Sequence, residues 1–380
     1  MPFHLSDEQE IMRSSFREFA EAELKPLAET LDREHRPPLE SIPKLADMGI
    51  FGIGIPEEYG GTGKDHVAFA LALEEISRCC ATTGVMVEVH CTMCTELIAH
   101  WGTDEQKQRY LPAMVQGDCI GAFCLTEPGA GSDAAQLKTR ARLDGDEYVI
   151  DGEKIFITNG GYAGVFLVFA RTSDEPGSRG ITAFLVDRDN PGLHVSEPER
   201  KMGLRGSSTT PLNFQSMRVP KSAILGGKEG VGFKVAMSGL DDGRVGIAAQ
   251  SLGIAQGAYE EAVAYAKTRE QFGGPLANLQ AIQWMIADMR ADIEAGRMLV
   301  YHAADLANRG EPYSQEAAIA KLHCAQMAGR VTNTAVQIHG GYGYIEGFPV
   351  ERMFRDARIT QIYEGTNEIQ RLVIARTELR

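Results

Sequence analysis

Glu364 is the first residue whose type and position suggest chemistry. It lies in the short run Tyr363-Glu364-Gly365-Thr366, which links two helical patterns. The glycine allows the backbone to turn sharply, so the carboxylate of Glu364 and its own backbone N–H could face one ligand. A carboxylate held in this way can act as a general base. A single glutamate in a loop is more often a solvated surface residue, and only its surroundings decide between the two hypotheses.

A run containing glycines offers a possible binding loop. Gly129-Ala130-Gly131-Ser132 lies inside the longer segment of residues 123–133. Small residues with exposed backbone N–H groups let a flat or phosphorylated ligand approach closely. A plain glycine turn between strands explains the same residues equally well. No GxGxxG pattern opens a βαβ unit, so a nicotinamide-dinucleotide fold is not supported.

Cys91 and Cys94 have CxxC spacing, and His90 lies beside them. No second pair of ligands follows at the spacing of a zinc site, so no metal is expected. Thiols packed within a helix are the simpler hypothesis. The seven cysteines, an odd number over a long chain, do not form a disulfide framework and indicate a reducing compartment.

The elements that must position these groups fall into three blocks along the chain. From residue 6 to about 117 the apolar spacing is helical, with stretches at 67–80 and 84–100 separated by a Thr/Gly turn. Two capping-box patterns support this prediction: Ser6 with Gln9, and Thr103 with Gln106. The first block is therefore predicted to be entirely helical.

The second and third blocks differ in period. From about 119 to 220 the period is two, and Asp144-Gly145 and Asp151-Gly152 are typical of hairpin turns. The strand candidates are residues 155–158, 166–171, 181–186 and 212–217. Long helical segments near 231–268, 279–309 and 314–339 then resemble an up-down bundle. This order favours an α+β multidomain protein over a parallel doubly wound fold.

Composition bounds the class of protein. The 380 residues exceed the roughly 250–300 that one core supports, and we expect domains at 1–118, 119–230 and 231–380. The net charge of −14 opposes contact with nucleic acid. No apolar run is long enough to span a membrane, and residues 1–10 do not look like a secretory leader. The cytoplasm, or an organelle matrix in a eukaryote, is therefore expected.

Four further runs complete the pattern. They are Ile155-Phe156-Ile157-Thr158-Asn159-Gly160, Arg269-Glu270-Gln271-Phe272-Gly273, Gln337-Ile338-His339-Gly340-Gly341, and Ile362-Tyr363-Glu364-Gly365-Thr366-Asn367-Glu368-Ile369-Gln370-Arg371. Together with residues 123–133, these runs resemble the acyl-CoA dehydrogenase family, closest to its short-chain members. The match keeps the family's order over nearly the whole chain.

The resemblance implies a three-domain fold and an FAD cofactor. The expected fold has an N-terminal helical domain, a middle antiparallel β domain and a C-terminal four-helix bundle, usually assembled as a homotetramer. FAD would lie between the β domain and the bundle, and the neighbouring subunit would complete its site. Residues matching the family's FAD contacts are Phe123, Leu125, Thr126, Gly131, Ser132, Phe156, Thr158, Arg269, Phe272, Gln280, Gln337, Gly341, Thr366 and Glu368.

Phe156 departs from the family's usual residue, and Arg269 has a second interpretation. Many relatives have tryptophan where this chain has Phe156, which keeps an aromatic plane against the flavin ring but removes an indole N–H. Arg269 would bind the pyrophosphate of the adjoining subunit's FAD by charge-assisted hydrogen bonds. Without the Glu-Gln-Phe-Gly residues that follow it, Arg269 would be interpreted as a solvated charge at a helix end. Flavin binding is expected to survive the change at Phe156.

The resemblance also implies an acyl-CoA site. Ser132, Asp241, Arg244 and Gly365 match substrate-contacting positions, although Arg244 could instead be a structural salt-bridge partner. Glu364 would remove the α proton while its backbone N–H and a ribityl hydroxyl of FAD stabilise the enolate. The β hydrogen would leave as hydride to the flavin. Some relatives place the base at the position of Gly243, which cannot accept a proton.

Glu88 is a further candidate for a substrate contact. It shares a helical face with Cys91 and Thr95, and the corresponding helix of the family lines the acyl pocket. Pointing inward, Glu88 could favour a polar or alicyclic acyl group or act as a second base. An exposed glutamate on a half-buried helix is the favoured interpretation, because glutamate is seldom buried without a partner.

The predicted function is α,β-dehydrogenation of a short-chain acyl-CoA, as in fatty acid β-oxidation, with electrons passed to an electron-transferring flavoprotein. A branched or alicyclic acyl group is an alternative, because one or two methylenes change binding by only about 1–3 kcal/mol. An acyl-CoA oxidase would pass electrons to oxygen and usually carries an extra C-terminal domain. A non-catalytic, DNA-associated protein would be expected to carry a basic patch, which the acidic composition opposes.

Overall fold

The computed structural model describes residues 5–63 and 65–379. The N-terminal block is helical, as predicted, and both capping boxes are confirmed. At the first, Ser6 Oγ accepts from the backbone N–H of Gln9 at 3.2 Å, and Gln9 Oε1 accepts from the N–H of Ser6 at 3.1 Å. The helices are α1 (Asp7–Phe19), α2 (Lys25–Glu34), α3 (Ile42–Asp47), α4 (His66–Cys79), α5 (Ala81–His90), α6 (Glu96–Trp101) and α7 (Asp104–Val115).

The break predicted at a Thr/Gly turn lies earlier in the chain. The chain leaves helical geometry at Cys80, with φ −146°, and residues 82–84 already belong to α5. A π-helical turn, Cys91–Thr95, joins α5 to α6 without a break. Cys91 and Cys94 are buried there, and burial raises the pKa of both thiols. The two thiols are therefore packed within the helix.

The middle block is a sheet of seven strands among the described residues. The strands are β1 (Gly121–Cys124), β2 (Arg140–Asp144), β3 (Glu147–Thr158), β4 (Val165–Arg171), β5 (Ile181–Asp187), β6 (Leu193–Val195) and β7 (Thr209–Pro220). The strand order is β1-β4-β2-β3-β7-β6, with β5 paired to β4. Most strand pairs are antiparallel, although β1 and β2 each pair in parallel with β4.

One of the two predicted hairpin turns is wrong. Asp144 pairs with Glu147 across the β2–β3 turn, which confirms the first. Asp151 and Gly152 lie inside β3 instead, where the register against β7 shifts and Gly152 adopts φ +149°. A β-bulge needs the same freedom of backbone conformation as a turn, so the dipeptide alone does not distinguish them.

The C-terminal block is a helical bundle built on one long helix. Its helices are α8 (Gly232–Thr268), α9 (Gln280–Asn308), α10 (Ser314–His339), α11 (Pro349–Ile359) and α12 (Asn367–Glu378), and short strands β8 (Glu270–Gln271) and β9 (Gly274–Pro275) form a hairpin after α8. The three helical segments predicted from periodicity correspond to α8, α9 and α10. Among the described residues, no helix is both long enough and apolar enough to cross a membrane.

The N-terminal and C-terminal helices share one core. A Cβ atom on Gly253 of α8 would lie 2.3 Å from the carbonyl oxygen of Glu74 on α4, so only glycine permits this approach. Leu73, Ala249 and Tyr301 are buried in the resulting cluster. The boundaries at 118/119 and 230/231 remain a proposal, and they fall between α7 and β1 and just before α8.

Candidate active site

The link between α11 and α12 holds Glu364 in an unusual backbone conformation. Glu364 and Gly365 both lie in the left-handed region, with φ +51° and +84°. A residue other than glycine rarely adopts this conformation, and it costs about 1–3 kcal/mol unless neighbours hold it in place. Here Gln370 Nε2 donates to the carbonyl oxygens of Glu364 (3.2 Å) and Gly365 (2.8 Å), and Lys321 Nζ donates to that of Gly365 (2.8 Å).

Glu364 is half-buried, and one oxygen of its carboxyl group is fully shielded and lacks a partner in the described structure. Its Oε2 atom is inaccessible to solvent and has no hydrogen-bond partner among the described residues. Burial raises the pKa of Glu364 to about 7, against the opposing effects of Lys321 and Arg244. Within the described chain, its backbone N–H also donates to no other group. A proton acceptor and a hydrogen-bond donor of one residue are therefore both free for a ligand.

Glu88 is fully buried, so the favoured prediction of an exposed glutamate is wrong. The side chain is 0 % exposed, and its Oε1 atom lies 2.8 Å from the hydroxyl of Thr92. Its Oε2 atom has no hydrogen-bond partner in the described part of the chain. Burial, and then the charge of Glu364, raise the pKa of Glu88 well above its usual range. Two buried carboxyl groups thus influence each other at one place in the fold.

Glycines on α8 create the space that the two acids share. A Cβ atom on Gly243 would lie 3.2 Å from Glu364 Oε2, 3.4 Å from Glu88 Oε1 and 2.9 Å from Met93 Sδ. A Cβ atom on Gly246 would lie 2.8 Å from Glu88 Cγ. A side chain at Gly243 or Gly246 would therefore displace Glu364 or Glu88. Sequence reasoning identified Gly243 only as a vacant base position and missed Gly246, although glycines at helical spacing on α8 indicated a close approach.

Arg244 and Asp241 lie beside this gap. Arg244 is buried and forms a 2.5 Å ion pair with Asp241, so the salt bridge considered from the sequence is present. The Nε atom of Arg244 nevertheless has no partner among the described residues. Asp241 also accepts from Ser314 Oγ at 2.9 Å. Their contact with an acyl-CoA remains a prediction.

Lys321 and Tyr363 are parts of the site that sequence reasoning missed. Burial lowers the pKa of Lys321 to about 7, against the attraction of Glu364. The hydroxyl of Tyr363 donates to Gln250 Oε1, and Gln250 Nε2 donates to the carbonyl oxygen of Ala81 at 2.9 Å. A lysine within the alanine-rich pattern of α10 was the available signal, because a buried lysine needs partners.

The predicted flavin residues of the middle domain lie on β1, on the loop after it and near the C-terminal end of β3. Phe156 is 61 % exposed with φ +60°, at a register shift in β3 that turns its ring outward. The backbone N–H of Ile155 donates to the carbonyl oxygen of Thr126 at 2.9 Å, which holds the loop beside the strand. Phe123, Thr126 and Thr158 are half-buried, Leu125 is buried, and Gly131 and Ser132 are exposed.

A second group of predicted flavin residues lies at the far end of the bundle. Arg269 and Gly341 line a cavity of about 440 Å³ together with Tyr265, His339 and Tyr342, which were not predicted. The guanidinium of Arg269 lies 5.5 Å from the ring centre of Tyr342. The predicted residues outside this lining are Phe272, which is 94 % exposed, the exposed Gln280 and Gln337, Thr366, which caps α12, and the exposed Glu368.

Comparisons with known proteins agree along the whole chain. Three family models match: "Acyl-CoA dehydrogenase, N-terminal domain" at residues 6–118, "middle domain" at 122–217 and "C-terminal domain" at 230–379. The "Acyl-CoA dehydrogenase, short-chain specific" of Clostridium acetobutylicum is 51% identical, with 99% of each chain covered.

Solved structures give the same result. Butyryl-CoA dehydrogenase from Megasphaera elsdenii is 44% identical with a TM-score of 0.97, and all of both chains is covered. A chain from the structural study of the electron transferring flavoprotein of Acidaminococcus fermentans is 48% identical with a TM-score of 0.98, again over all of both chains. The expected arrangement of a helical domain, a sheet domain and a helical bundle is therefore confirmed.

Proposed function

This chain belongs to the acyl-CoA dehydrogenase family, and from that premise we propose that it removes the α and β hydrogens of a short-chain acyl-CoA to give the trans-2-enoyl-CoA. The observation that carries the proposal is the buried, unpartnered Oε2 atom of Glu364, which lies against the side-chain-free face of α8 at Gly243. A thioester that reaches this oxygen would present its α carbon to a base whose pKa lies near neutrality.

The residues of the chain fit the FAD cofactor of the family. The exposed ring of Phe156 offers a flat surface near the end of β3, where Thr158 also lies, and the loop after β1 carries the hydroxyl groups of Thr126 and the exposed Ser132. Cβ atoms on Gly129 and Gly131 would meet nothing within 4 Å, so the loop leaves room for a ligand. When bound, FAD supplies the acceptor for the hydride from the β carbon.

The proton step belongs to Glu364. An α proton of a thioester is weakly acidic, so its removal needs the developing enolate oxygen to be stabilised at the same time. The carboxylate of Glu364 takes the proton from the α carbon, and the unused backbone N–H of the same residue donates to the carbonyl oxygen. Because Gln370 and Lys321 hold the backbone of the link, both groups of Glu364 approach the substrate in a fixed orientation.

Other residues of the chain hold the substrate and the cofactor for this step. Asp241, Arg244 and Gly365 hold the CoA thioester, and Arg269 with Gly341 holds the distal part of the FAD of an adjoining subunit. The exposed ring of Phe272, three residues after Arg269, supports a homo-oligomer, and we propose a tetramer. The electron acceptor is an electron-transferring flavoprotein. We place the enzyme in the cytoplasm or, in a eukaryote, an organelle matrix.

Anaerobic titration of the purified yellow protein with short straight, branched and cyclic acyl-CoA thioesters tests the function. We expect a short straight thioester to bleach the oxidised flavin absorbance most readily. Preferential bleaching by a branched or cyclic thioester would retain the chemistry and change the substrate class. A yellow protein that no thioester reduces would overturn the proposed function, and rapid peroxide release in air would identify an oxidase instead.

A further inference from the structure

We infer that Glu88 is a specificity-determining residue, a neutral acid whose free oxygen accepts a hydrogen bond from a hydroxyl group on the acyl chain. The inference rests on the proposed function, because it names the class of acyl group that this site takes. Its first support is that the hydroxyl of Thr92 contacts two oxygen atoms of Glu88.

The hydroxyl of Thr92 contacts two oxygen atoms of Glu88 but has only one hydrogen to donate. Its Oγ1 atom lies 2.9 Å from the backbone carbonyl oxygen of Glu88 and 2.8 Å from Glu88 Oε1. If Glu88 were ionised, both contacts would present an acceptor and only one could be a hydrogen bond. If Glu88 is protonated, Oε1–H donates to Thr92 while Thr92 donates to the carbonyl oxygen. The geometry therefore favours the neutral acid.

Protonation at Oε1 makes Oε2 a pure acceptor, and this atom is the one left without a partner. It is shielded from solvent, and no donor reaches it from the described residues. A buried acceptor without a donor is unfavourable, whereas a ligand that supplies the donor restores the lost hydrogen bond. A hydrocarbon chain would leave Oε2 unsatisfied, and a hydroxyl group would satisfy it.

The charges around Glu88 select a neutral donor. Apart from Thr92, the groups that influence Glu88 are the acids Glu364 and Glu96, which raise its pKa together with burial. A second carboxylate on the acyl chain would meet acids of the same sign. An ammonium group would pair with Glu364 and hinder its use as a base. A hydroxyl group avoids both effects.

The position of Glu88 sets where the hydroxyl belongs. Glu364 Oε2 and Glu88 Oε1 lie 3.2 and 3.4 Å from the position that a Cβ atom on Gly243 would take, so the two carboxyl groups meet on one face of α8. We place the acyl chain of a thioester held at Glu364 against the carboxyl group of Glu88. The α and β carbons take part in the reaction, and a hydroxyl on the β carbon would alter the bond that breaks. The γ carbon is therefore the first position that can carry the hydroxyl.

The test compares 4-hydroxybutyryl-CoA with pentanoyl-CoA, which differ by a hydroxyl in place of a methyl group. For the FAD-loaded enzyme we expect kcat/KM to be about tenfold higher for the hydroxy thioester, the factor that one hydrogen bond contributes. In Glu88→Met, which keeps the volume but removes both oxygens, the ratio should fall to about one. Glu88→Gln should keep the preference, because its amide can donate to Thr92 and accept from the substrate.

Each other outcome has a defined meaning. A wild-type ratio near one, or a preference that survives Glu88→Met, would overturn the assignment of Glu88 as the acceptor. Loss of the preference in Glu88→Gln would overturn the neutral-acid assignment, because it would show that charge is required. Loss of flavin reduction with both thioesters in that variant would also overturn the proposal, because it would assign Glu88 to proton transfer. If Glu88→Met does not fold, the wild-type and Glu88→Gln ratios still decide. Failure of every thioester to bleach the flavin would reject the proposed function instead.

Discussion

Glu127 and Glu364 are both glutamates with buried carboxyl oxygens, yet their surroundings differ completely. Glu127 accepts from Lys154 Nζ at 2.8 Å and from the backbone N–H groups of Lys138 and Thr139 at 2.5 and 3.0 Å. Although burial raises the pKa of Glu127, these partners lower it below the usual range. Glu364 keeps an unpartnered oxygen, and its pKa is raised. A satisfied buried acid supports the fold, whereas an unsatisfied one at a gap is available to a ligand.

The largest effect expected from this comparison is on chemistry. Glu364→Gln should bind FAD and acyl-CoA but reduce the flavin about 10²–10⁴-fold more slowly, because the amide cannot accept the α proton. Anaerobic stopped-flow bleaching measures the rate, and FAD content with thioester binding serves as the control. A Gln variant with wild-type rates would remove the base from Glu364.

The second effect is on stability, at the satisfied acid. Lys154→Met should cost about 3–5 kcal/mol, because Glu127 would keep its charge without the paired cation. A lower Tm at fixed protein and FAD concentration would reveal it. Arg218→Met, which breaks exposed ion pairs with Asp144 and Glu147 in the same domain, is the matched control and should barely move the Tm. Equal shifts in the two variants would contradict the distinction between buried and exposed pairs.

The third effect is on pH dependence. The contributions of Glu364 and Glu127 to stability should change in opposite directions as pH rises. Flavin reduction should rise about tenfold per pH unit up to a pH of about 7 and then level off, because only ionised Glu364 is a base. The raised pKa of Glu364 adds stability that is present at low pH and lost as pH rises through about 7. The lowered pKa of Glu127 adds stability that is lost as pH falls through its folded value.

Stopped-flow rates at constant ionic strength, and Tm values for Glu364→Gln and Glu127→Gln over the same pH series, measure both trends. A flat rate profile through neutrality would contradict the raised pKa of Glu364. A similar pH dependence of stability for the two variants would show that their carboxyl groups have similar surroundings.

The smallest effect concerns Thr92, the hydrogen-bond partner of the Glu88 side chain among the described residues. Thr92→Val should lower the free energy of unfolding by about 1 kcal/mol, since it removes the hydroxyl that contacts Glu88. The same change in a Glu88→Met background should cost less, because the interaction is already absent. Tm values for the wild type, the two single variants and the double variant complete this double-mutant cycle. Additive losses would mean that Thr92 contributes only through its backbone contact.

The sequence was sufficient for the blocks of the fold. Apolar periodicity predicted α8, α9 and α10 closely, and capping boxes predicted the starts of α1 and α7, because these signals act over a few neighbouring residues. Asp151-Gly152 was mistaken for a turn because its local chemistry suits a bulge equally well. The resemblance to a family supplied the site positions that no periodicity could give.

The sequence was insufficient where distant elements meet. Burial of Glu88 depends on Gly243 and Gly246 of α8 and on the link that carries Glu364, which lie far away along the chain. A glutamate on a helical face is normally assigned to solvent, and only the packed structure shows the gap that accommodates it. The clamp on the Glu364 backbone by Lys321 and Gln370 was hidden for the same reason.

The π-helical turn at Cys91–Thr95 acts as a phase shift in the helix that carries Glu88. Such a turn adds one residue to an α-helix, which corresponds to a rotation of about 100°. Glu88 lies before the extra residue and faces the gap beside α8, while Leu97 and Ile98 lie after it and pack in the core between the helices and the sheet. Deleting a single residue from the turn would leave every apolar side chain present but rotate one half against the other. The alignment of Glu88 with Glu364 and the packing of the helix on the sheet thus both depend on one inserted residue.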